Sequence, residues 1–141
     1  MNNSSDKLTL NYLYQQANGI YFPIIPIKFI YLDKETNIVP GIIDTGSDDI
    51  LIKNGIAKRL GINMTNWFES KSASGKFRKG KVKVDFYIIH DKGEELFNNV
   101  EITVNENDEF PPLPLIGRYP LFERYNIVFN NSKNRCSLIP K

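Results

Sequence analysis

The triplet Asp44-Thr45-Gly46 is the part of this sequence best suited to chemistry. A carboxylate can take a proton from water and a protonated carboxyl can give one to a carbonyl oxygen, so two facing carboxyls that share one proton can perform hydrolysis. Like charges about 3 Å apart cannot both ionise, which keeps one of the pair protonated. Gly46 lets backbone approach the carboxylate closely, and the Thr45 hydroxyl can hold the loop by hydrogen bonding. One such triplet is therefore half of a hydrolytic site.

Other reactive residue types are scarce, because the chain has one cysteine, Cys136, and one histidine, His90. A single cysteine excludes an intrachain disulfide, and one histidine beside it leaves too few soft ligands for a structural zinc site. Cys136 lies in an apolar C-terminal stretch without a second histidine to orient a base, so we do not expect a thiol nucleophile. His90 lies in a polar turn and is expected to be exposed and inert. The sequence predicts neither a metal nor a cofactor.

Length and charge are those of one ordinary globular domain. The 141 residues include 18 Lys and Arg against 16 Asp and Glu, a formal charge of +2 that gives no reason to expect nucleic acid or an anionic membrane as partner. The apolar stretch 24–32 is interrupted by Pro26 and Lys28 and is far shorter than the roughly 18 residues of a membrane helix. Residues 1–7 lack the basic start and apolar core of a secretory signal, so we expect either a cytoplasmic protein or one from which a leader has already been removed.

The hydrophobic pattern predicts an all-β domain, because apolar and polar residues mostly alternate with period two between closely spaced turn signals. Residues 38–43 and 50–52 are predicted strands on either side of the Asp44 loop. Between residues 54 and 60 the apolar spacing changes to four, which predicts a short helix that ends at Gly61.

Later segments are predicted to complete this fold. Residues 67–84 have the pattern of a hairpin whose tip, Ser72-Ala73-Ser74-Gly75, lacks large apolar side chains. The remaining predicted elements are a short apolar strand, a short helix and a closing hairpin, at residues 113–116, 118–125 and 127–139.

These elements follow the order found in one protein family. The segment 41–51, Gly-Ile-Ile-Asp-Thr-Gly-Ser-Asp-Asp-Ile-Leu, resembles the active-site loop of the retropepsin-like aspartic proteases, the single-lobe relatives of pepsin. The helix, the hairpin and the late Leu115-Ile116-Gly117-Arg118 come in that family's order, so the resemblance covers about residues 20–140. It implies an all-β fold of the acid protease type, a closed or partly open β-barrel with one or two short helices, assembled as a two-fold homodimer.

The resemblance implies a role for each residue of the loop. Asp44 would be the catalytic aspartate, Thr45 the hydroxyl that holds the loop, and Gly46 a backbone contact to substrate. Ser47 would donate a hydrogen bond to the outer oxygen of the Asp44 carboxylate. Because a hydroxyl donor favours the ionised carboxylate, an acidic pH optimum is expected.

The resemblance also implies roles outside the triplet. Arg118 would form an internal ion pair with Asp48, Asp49 would lie nearer the substrate, and Leu115-Ile116-Gly117 would run beside the catalytic loop. The hairpin tip would close over substrate as a flap. Tyr119 and Pro120 stand where the family often has Asp or Asn, so the start of the following helix is expected to be rebuilt. The implied substrate-binding residues are Gly46, Asp48, Asp49, Ser72, Ala73, Ser74 and Gly75.

The second carboxylate has to come from a partner, because the chain contains one Asp-Thr-Gly and a two-lobed pepsin-type enzyme needs two such triplets in a chain about twice this length. A two-fold axis places the same residue of both copies side by side, so a homodimer supplies two Asp44 carboxylates. The expected activity is that of an aspartic endopeptidase, with a second copy of the chain and a peptide or protein substrate as partners.

Two alternatives to this hypothesis stay open at the level of sequence. The chain could be a catalytically silent dimerisation or peptide-binding module that keeps the fold without pairing two Asp44 carboxylates. It could also be a protease domain, residues 20–141, regulated by an N-terminal extension, residues 1–19. Within that extension, residues 8–14 alternate well enough to pair as an extra strand.

Overall fold

The computed structural model describes residues 7–72 and 75–141. In those ranges the regular secondary structure consists of thirteen strands and two short helices, which confirms the all-β prediction. The elements are β1 (Leu10–Leu13), β2 (Gln15–Ala17), β3 (Ile20–Phe22), β4 (Ile24–Tyr31), β5 (Lys34–Glu35), β6 (Val39–Ile43), β7 (Ile50–Lys53), α1 (Asn54–Arg59), β8 (Phe68–Ser72), β9 (Gly75–His90), β10 (Gly93–Asn105), β11 (Leu115–Ile116), α2 (Leu121–Arg124), β12 (Tyr125–Asn130) and β13 (Arg135–Pro140).

Six strands close into a barrel. The large sheet has the order β5-β4-β6-β11-β7-β10-β9-β8. A further pairing of β4 with β9 closes the barrel, whose strands are β4, β6, β11, β7, β10 and β9. Alternate residues of these strands point inward, so Ile25, Ile27 and Phe29 of β4 and Phe86 and Ile88 of β9 are fully buried. This apolar interior is the core against which the strands around Asp44 are held.

A separate three-stranded sheet joins the two ends of the chain. β13 lies between β1 and β12, and Leu10 of β1 is paired with Leu138 of β13. Both side chains are buried, and the Tyr12 hydroxyl donates to the Ile89 carbonyl oxygen at 2.9 Å. Residues 10–13 thus form a strand packed on the barrel, while a domain boundary after residue 19 and a regulatory role for the N-terminal segment stay predictions.

Both helices are close to their predicted places. α1 buries Ile56 and Ala57 and is followed by Gly61, whose positive φ of 76° suits a glycine after a helix C-terminus. α2 is shorter than predicted and begins only after Pro120. The two residues before Pro120 are instead hydrogen-bonded to the Asp44 loop, where the amides of Arg118 and Tyr119 donate to carbonyl oxygens at 2.9 and 2.8 Å.

The predicted hairpin is formed by β8 and β9, which pair from Phe68 with Lys79 to Ser72 with Gly75. Ala73 and Ser74 lie outside the described residues, so the structure does not test the expected flap tip. β9 continues far beyond the hairpin and also pairs with β10 and β4, which anchors the hairpin in the barrel. None of the helices described is long and apolar enough to cross a membrane.

Candidate active site

Asp44 begins the loop that connects β6 with β7. β11 lies between these two strands, parallel to β6 and antiparallel to β7. The Asp44 amide donates to the Ile116 carbonyl oxygen at 2.9 Å, and the Ile42 amide donates to the Pro114 carbonyl oxygen at 2.9 Å. The strand before the loop is therefore fixed by backbone bonds to a segment more than 70 positions later in the sequence.

The far side of the loop is bound to the residues that follow β11. The Gly117 amide donates to the Asp49 carbonyl oxygen at 3.0 Å, and the Arg118 and Tyr119 amides donate to the carbonyl oxygens of Ser47 and Asp48. A Cβ atom on Gly117 would overlap the carbonyl oxygens of Ser47 and Asp49. The glycine is thus required by close backbone approach, and Leu115-Ile116-Gly117 lies beside the loop.

The Asp44 carboxylate is partly buried at the mouth of this loop. The Gly46 amide donates to its Oδ1 at 3.0 Å, and the Ser47 amide donates to the Asp44 carbonyl oxygen at 3.1 Å. An amide donor stabilises the ionised form of a carboxylate and fixes its orientation. Thr45 and Gly46 are exposed, so the loop presents a held carboxylate beside accessible backbone.

Ser47 does not make the contact expected from the family resemblance. Its hydroxyl donates to the Asp49 carbonyl oxygen at 3.1 Å instead of to the Asp44 carboxylate. A serine hydroxyl has one proton to donate, and here the backbone of the same loop accepts it. The side chain therefore stabilises the turn, and the acidic optimum can no longer be argued from it.

The expected contact between Asp48 and Arg118 is present, but it is not internal. The Arg118 guanidinium donates to the Asp48 carboxylate across the join between the loop and the segment after β11. The two side chains are 88% and 54% exposed, respectively, so solvent screens the pair and its contribution to stability is small.

Asp49 has two partners that sequence reasoning missed. Its Oδ2 accepts a hydrogen bond from the Lys81 ammonium at 2.9 Å and one from the Thr103 hydroxyl at 2.7 Å, and Lys81 also contacts that hydroxyl at 2.8 Å. Thr103 is 5% exposed although it lies in an alternating strand between Ile102 and Val104, where the pattern predicts an outward residue. The burial of Thr103 is explained by its hydrogen bond to Asp49, which the sequence pattern does not reveal.

A groove of about 590 Å³ lies beside the loop. Its walls combine loop backbone, apolar and aromatic side chains and four charged groups. The lining residues are Gly46, Ser47, Asp48, Asp49, Leu51, Phe68, Ser70, Lys79, Lys81, Thr103 and Tyr119. The groove brings together Gly46, Asp48 and Asp49 of the predicted substrate-binding set with the base of the β8–β9 hairpin. The predicted contacts at residues 72–75 fall where the structure describes no side chains, so they stay predictions.

The remaining reactive side chains lie elsewhere. Burial raises the pKa of the Cys136 thiol to about 11, so the nucleophilic thiolate is scarce at neutral pH. His90 is not exposed as expected, because its side chain is 6% exposed with Nε2 3.3 Å from a Glu95 carboxylate oxygen. In residues 7–72 and 75–141 no three His, Cys, Asp or Glu side chains are grouped as metal ligands.

The fold is also found in a solved structure, the crystal structure of a retropepsin-like aspartic protease from Rickettsia conorii. The two structures align with a TM-score of 0.68 over 94% of this chain and 100% of that chain, at 15% sequence identity. At this identity the likeness shows a common fold and leaves activity open. No protein-family model matches the sequence, and no curated protein sequence is significantly similar to it.

Proposed function

We propose that two copies of this chain form an aspartic endopeptidase in which one Asp44 from each copy supplies the catalytic pair. The observation that carries the proposal is the Asp44 loop itself. Its carboxylate is oriented by the Gly46 amide at 3.0 Å, and its backbone is fixed on both sides by residues 114–119. Such a rigid frame can hold two like-charged groups at the short separation that a shared proton requires.

The proposed reaction uses one water molecule and no covalent intermediate. The ionised Asp44 takes a proton from water as its oxygen attacks the scissile carbonyl carbon, and the protonated Asp44 of the other copy gives its proton to the carbonyl oxygen. In the collapse of the resulting diol, the first Asp44, now protonated, gives its proton to the leaving nitrogen as the C–N bond breaks, and the second takes a proton from a hydroxyl of the diol, which becomes the carboxyl group of the product. The pair ends with one shared proton, as it began.

The second copy is a chemical requirement of this proposal. A single carboxylate cannot be both base and acid in the same step, and the sequence has one Asp-Thr-Gly triplet. The exposed Thr45 and Gly46 are the parts of the loop available to meet a partner and a peptide backbone. A two-fold axis beside Asp44 would bring the two carboxylates together without any further residue.

Two further features support a peptide substrate. The groove next to Gly46 has both backbone and apolar walls, which suit an extended chain, with Leu51, Phe68 and Tyr119 available for side chains. Phe68, Ser70, Lys79 and Lys81 of the β8–β9 hairpin line that groove, and the hairpin would act as the flap that excludes water during the reaction.

Cleavage of a diverse peptide pool, followed by mass spectrometry between pH 3 and pH 8, tests the proposal. We expect cleavage by the unmodified chain, inhibition by a statine-type peptide, and at least about a thousandfold loss in Asp44→Asn. Asp33→Asn is the matched control, because Asp33 is an exposed aspartate in the turn between β4 and β5.

Sedimentation of the same samples separates the proposal from its main alternative. A dimer that cleaves no peptide at any pH would identify a silent binding module with this fold. Equal cleavage by Asp44→Asn and the unmodified chain would contradict the assignment of Asp44.

A further inference from the structure

The charged side chains in the groove beside Gly46 differ in whether they have an ion-pair partner within the chain. Four charged side chains line it, Asp48, Asp49, Lys79 and Lys81. Both carboxylates have cationic partners, since Asp48 contacts Arg118 and Asp49 contacts Lys81. The two aspartates therefore add little negative potential to the groove.

Asp49 is the more strongly held of the two. One oxygen of its carboxylate accepts hydrogen bonds from both Lys81 and the buried Thr103, at 2.9 and 2.7 Å. Its side chain is 21% exposed. A substrate cation would have to displace the Lys81 ammonium to reach this oxygen, so a basic substrate side chain gains little here.

Lys79 has no such partner. It lies two positions before Lys81 on β9, lines the same groove and is partly buried. No carboxylate of residues 7–72 and 75–141 forms an ion pair with it. Phe68, which pairs with Lys79 across the β8–β9 hairpin, and Leu51 are apolar walls of the same groove. The groove therefore carries one unneutralised positive charge.

We infer that Lys79 determines substrate specificity, and that the groove selects peptides with an acidic side chain close to the bond that is cut. The inference rests on the proposed function. An Asp or Glu carboxylate of the substrate would pair with the Lys79 ammonium, while the adjacent apolar walls hold the methylenes of that side chain. Lys81 keeps Asp49 occupied, so the substrate acid meets no opposing carboxylate.

Matched peptides that differ only by Glu or Gln at one position test this charge preference. For the unmodified chain we expect kcat/KM to favour Glu by about fivefold at one position, the upper range for a partly exposed ion pair. The preference should weaken as salt is raised, and it should fade below about pH 4 as the substrate carboxyl becomes protonated.

Variants of β9 identify the residue responsible. Lys79→Gln should abolish the preference for Glu, and Lys79→Glu should reverse it in favour of Lys-containing peptides. Lys83→Gln is the matched control, because Lys83 is an exposed lysine of the same strand that does not line this groove. Lys81→Met should release the Asp49 carboxylate and also lower the preference for Glu.

Binding of the same peptide pairs, with a reduced amide in place of the scissile bond, gives a readout that does not need turnover. Tighter binding of the Glu analogue, with no cleavage of the parent peptides, would support Lys79 as a determinant of binding and contradict the proposed function. Cleavage that is equal for Glu and Gln at every position, or a Glu preference unchanged in Lys79→Gln, would overturn the inference and leave the proposed function standing.

Discussion

The Gly117 amide donates to the Asp49 carbonyl oxygen at 3.0 Å, and this contact leaves no room for a side chain at position 117. The bond joins the end of the Asp44 loop to the segment after β11. Two parts of the chain that are distant in sequence are thereby made into one rigid unit around Asp44. Several expected properties of the protein depend on that unit.

Substitution of Gly117 should damage both stability and activity. The Cβ atom of Gly117→Ala would overlap the carbonyl oxygens of Ser47 and Asp49, so the loop must shift. We expect a loss of about 2 kcal/mol in the free energy of unfolding, as for other overpacked sites, together with loss of peptide cleavage. Gly46→Ala is the comparison for stability, since its Cβ would meet only the Asp44 Oδ1, at 3.3 Å. Urea unfolding that gives equal stability for both variants would contradict this account of Gly117.

Substitution of Arg118 should affect stability much less. Its ion pair with Asp48 is largely exposed, while the loop is held by the Arg118 amide, which any residue but proline retains. We expect Arg118→Ala to cost less than about 1 kcal/mol, with Arg118→Lys as the variant that keeps the charge. Thermal unfolding of the two variants measures the difference. A loss as large as that of Gly117→Ala would show that the side chain, and not the backbone, holds the loop.

Peptide cleavage should have a bell-shaped pH profile with its maximum on the acidic side of pH 7. The reaction needs one ionised and one protonated carboxyl, so activity falls when the pair is fully protonated and again when the shared proton is lost. Rates measured from pH 3 to pH 8 at constant ionic strength give the profile. Asp33→Asn should leave its shape unchanged, and a maximum above about pH 7 would contradict a carboxyl pair as the catalytic group.

The terminal sheet should make the fold sensitive to alkaline pH. Burial raises the pKa of Cys136 from 9.0 to about 11, and burial together with the nearby Glu95 raises that of Tyr125 from 10.0 to about 12. Both groups keep their protons in the folded chain at pH values where the unfolded chain loses them. Stability is therefore complete below about pH 9 and declines as the pH rises from 9 to 12. Urea unfolding at a series of pH values measures this decline.

Cys136→Ala separates the thiol from the tyrosine. The variant is expected to be less stable at neutral pH because it leaves a small cavity, and to lose less of its remaining stability between pH 9 and 11. In the native chain Cys136 should react with iodoacetamide only after unfolding, since it is fully buried. Rapid alkylation of the folded protein at neutral pH would show that the terminal sheet opens.

Local patterns in the sequence were sufficient for the secondary structure around the site. The strands before and after Asp44 were predicted because alternating apolar residues mark a strand with one buried face, and α1 because its apolar spacing of four is followed by Gly61. The barrel was implied only by the resemblance to the retropepsin-like family, and the structure confirms it. The strands and the helix, in contrast, depend on neighbours within a few positions, so they can be inferred from a single chain.

Side-chain partners were decided by the tertiary structure. The Ser47 hydroxyl could donate to either the Asp44 carboxylate or the Asp49 carbonyl oxygen, and in the folded loop it donates to the latter. Likewise Asp49, Lys81 and Thr103 lie on three different strands or loops, and nothing in their local sequence indicates that they meet. The sequence by itself determined which residue could carry the chemistry and which strands flank it. The closure of the barrel decided what surrounds that residue, because contacts between distant segments depend on the path of the whole chain.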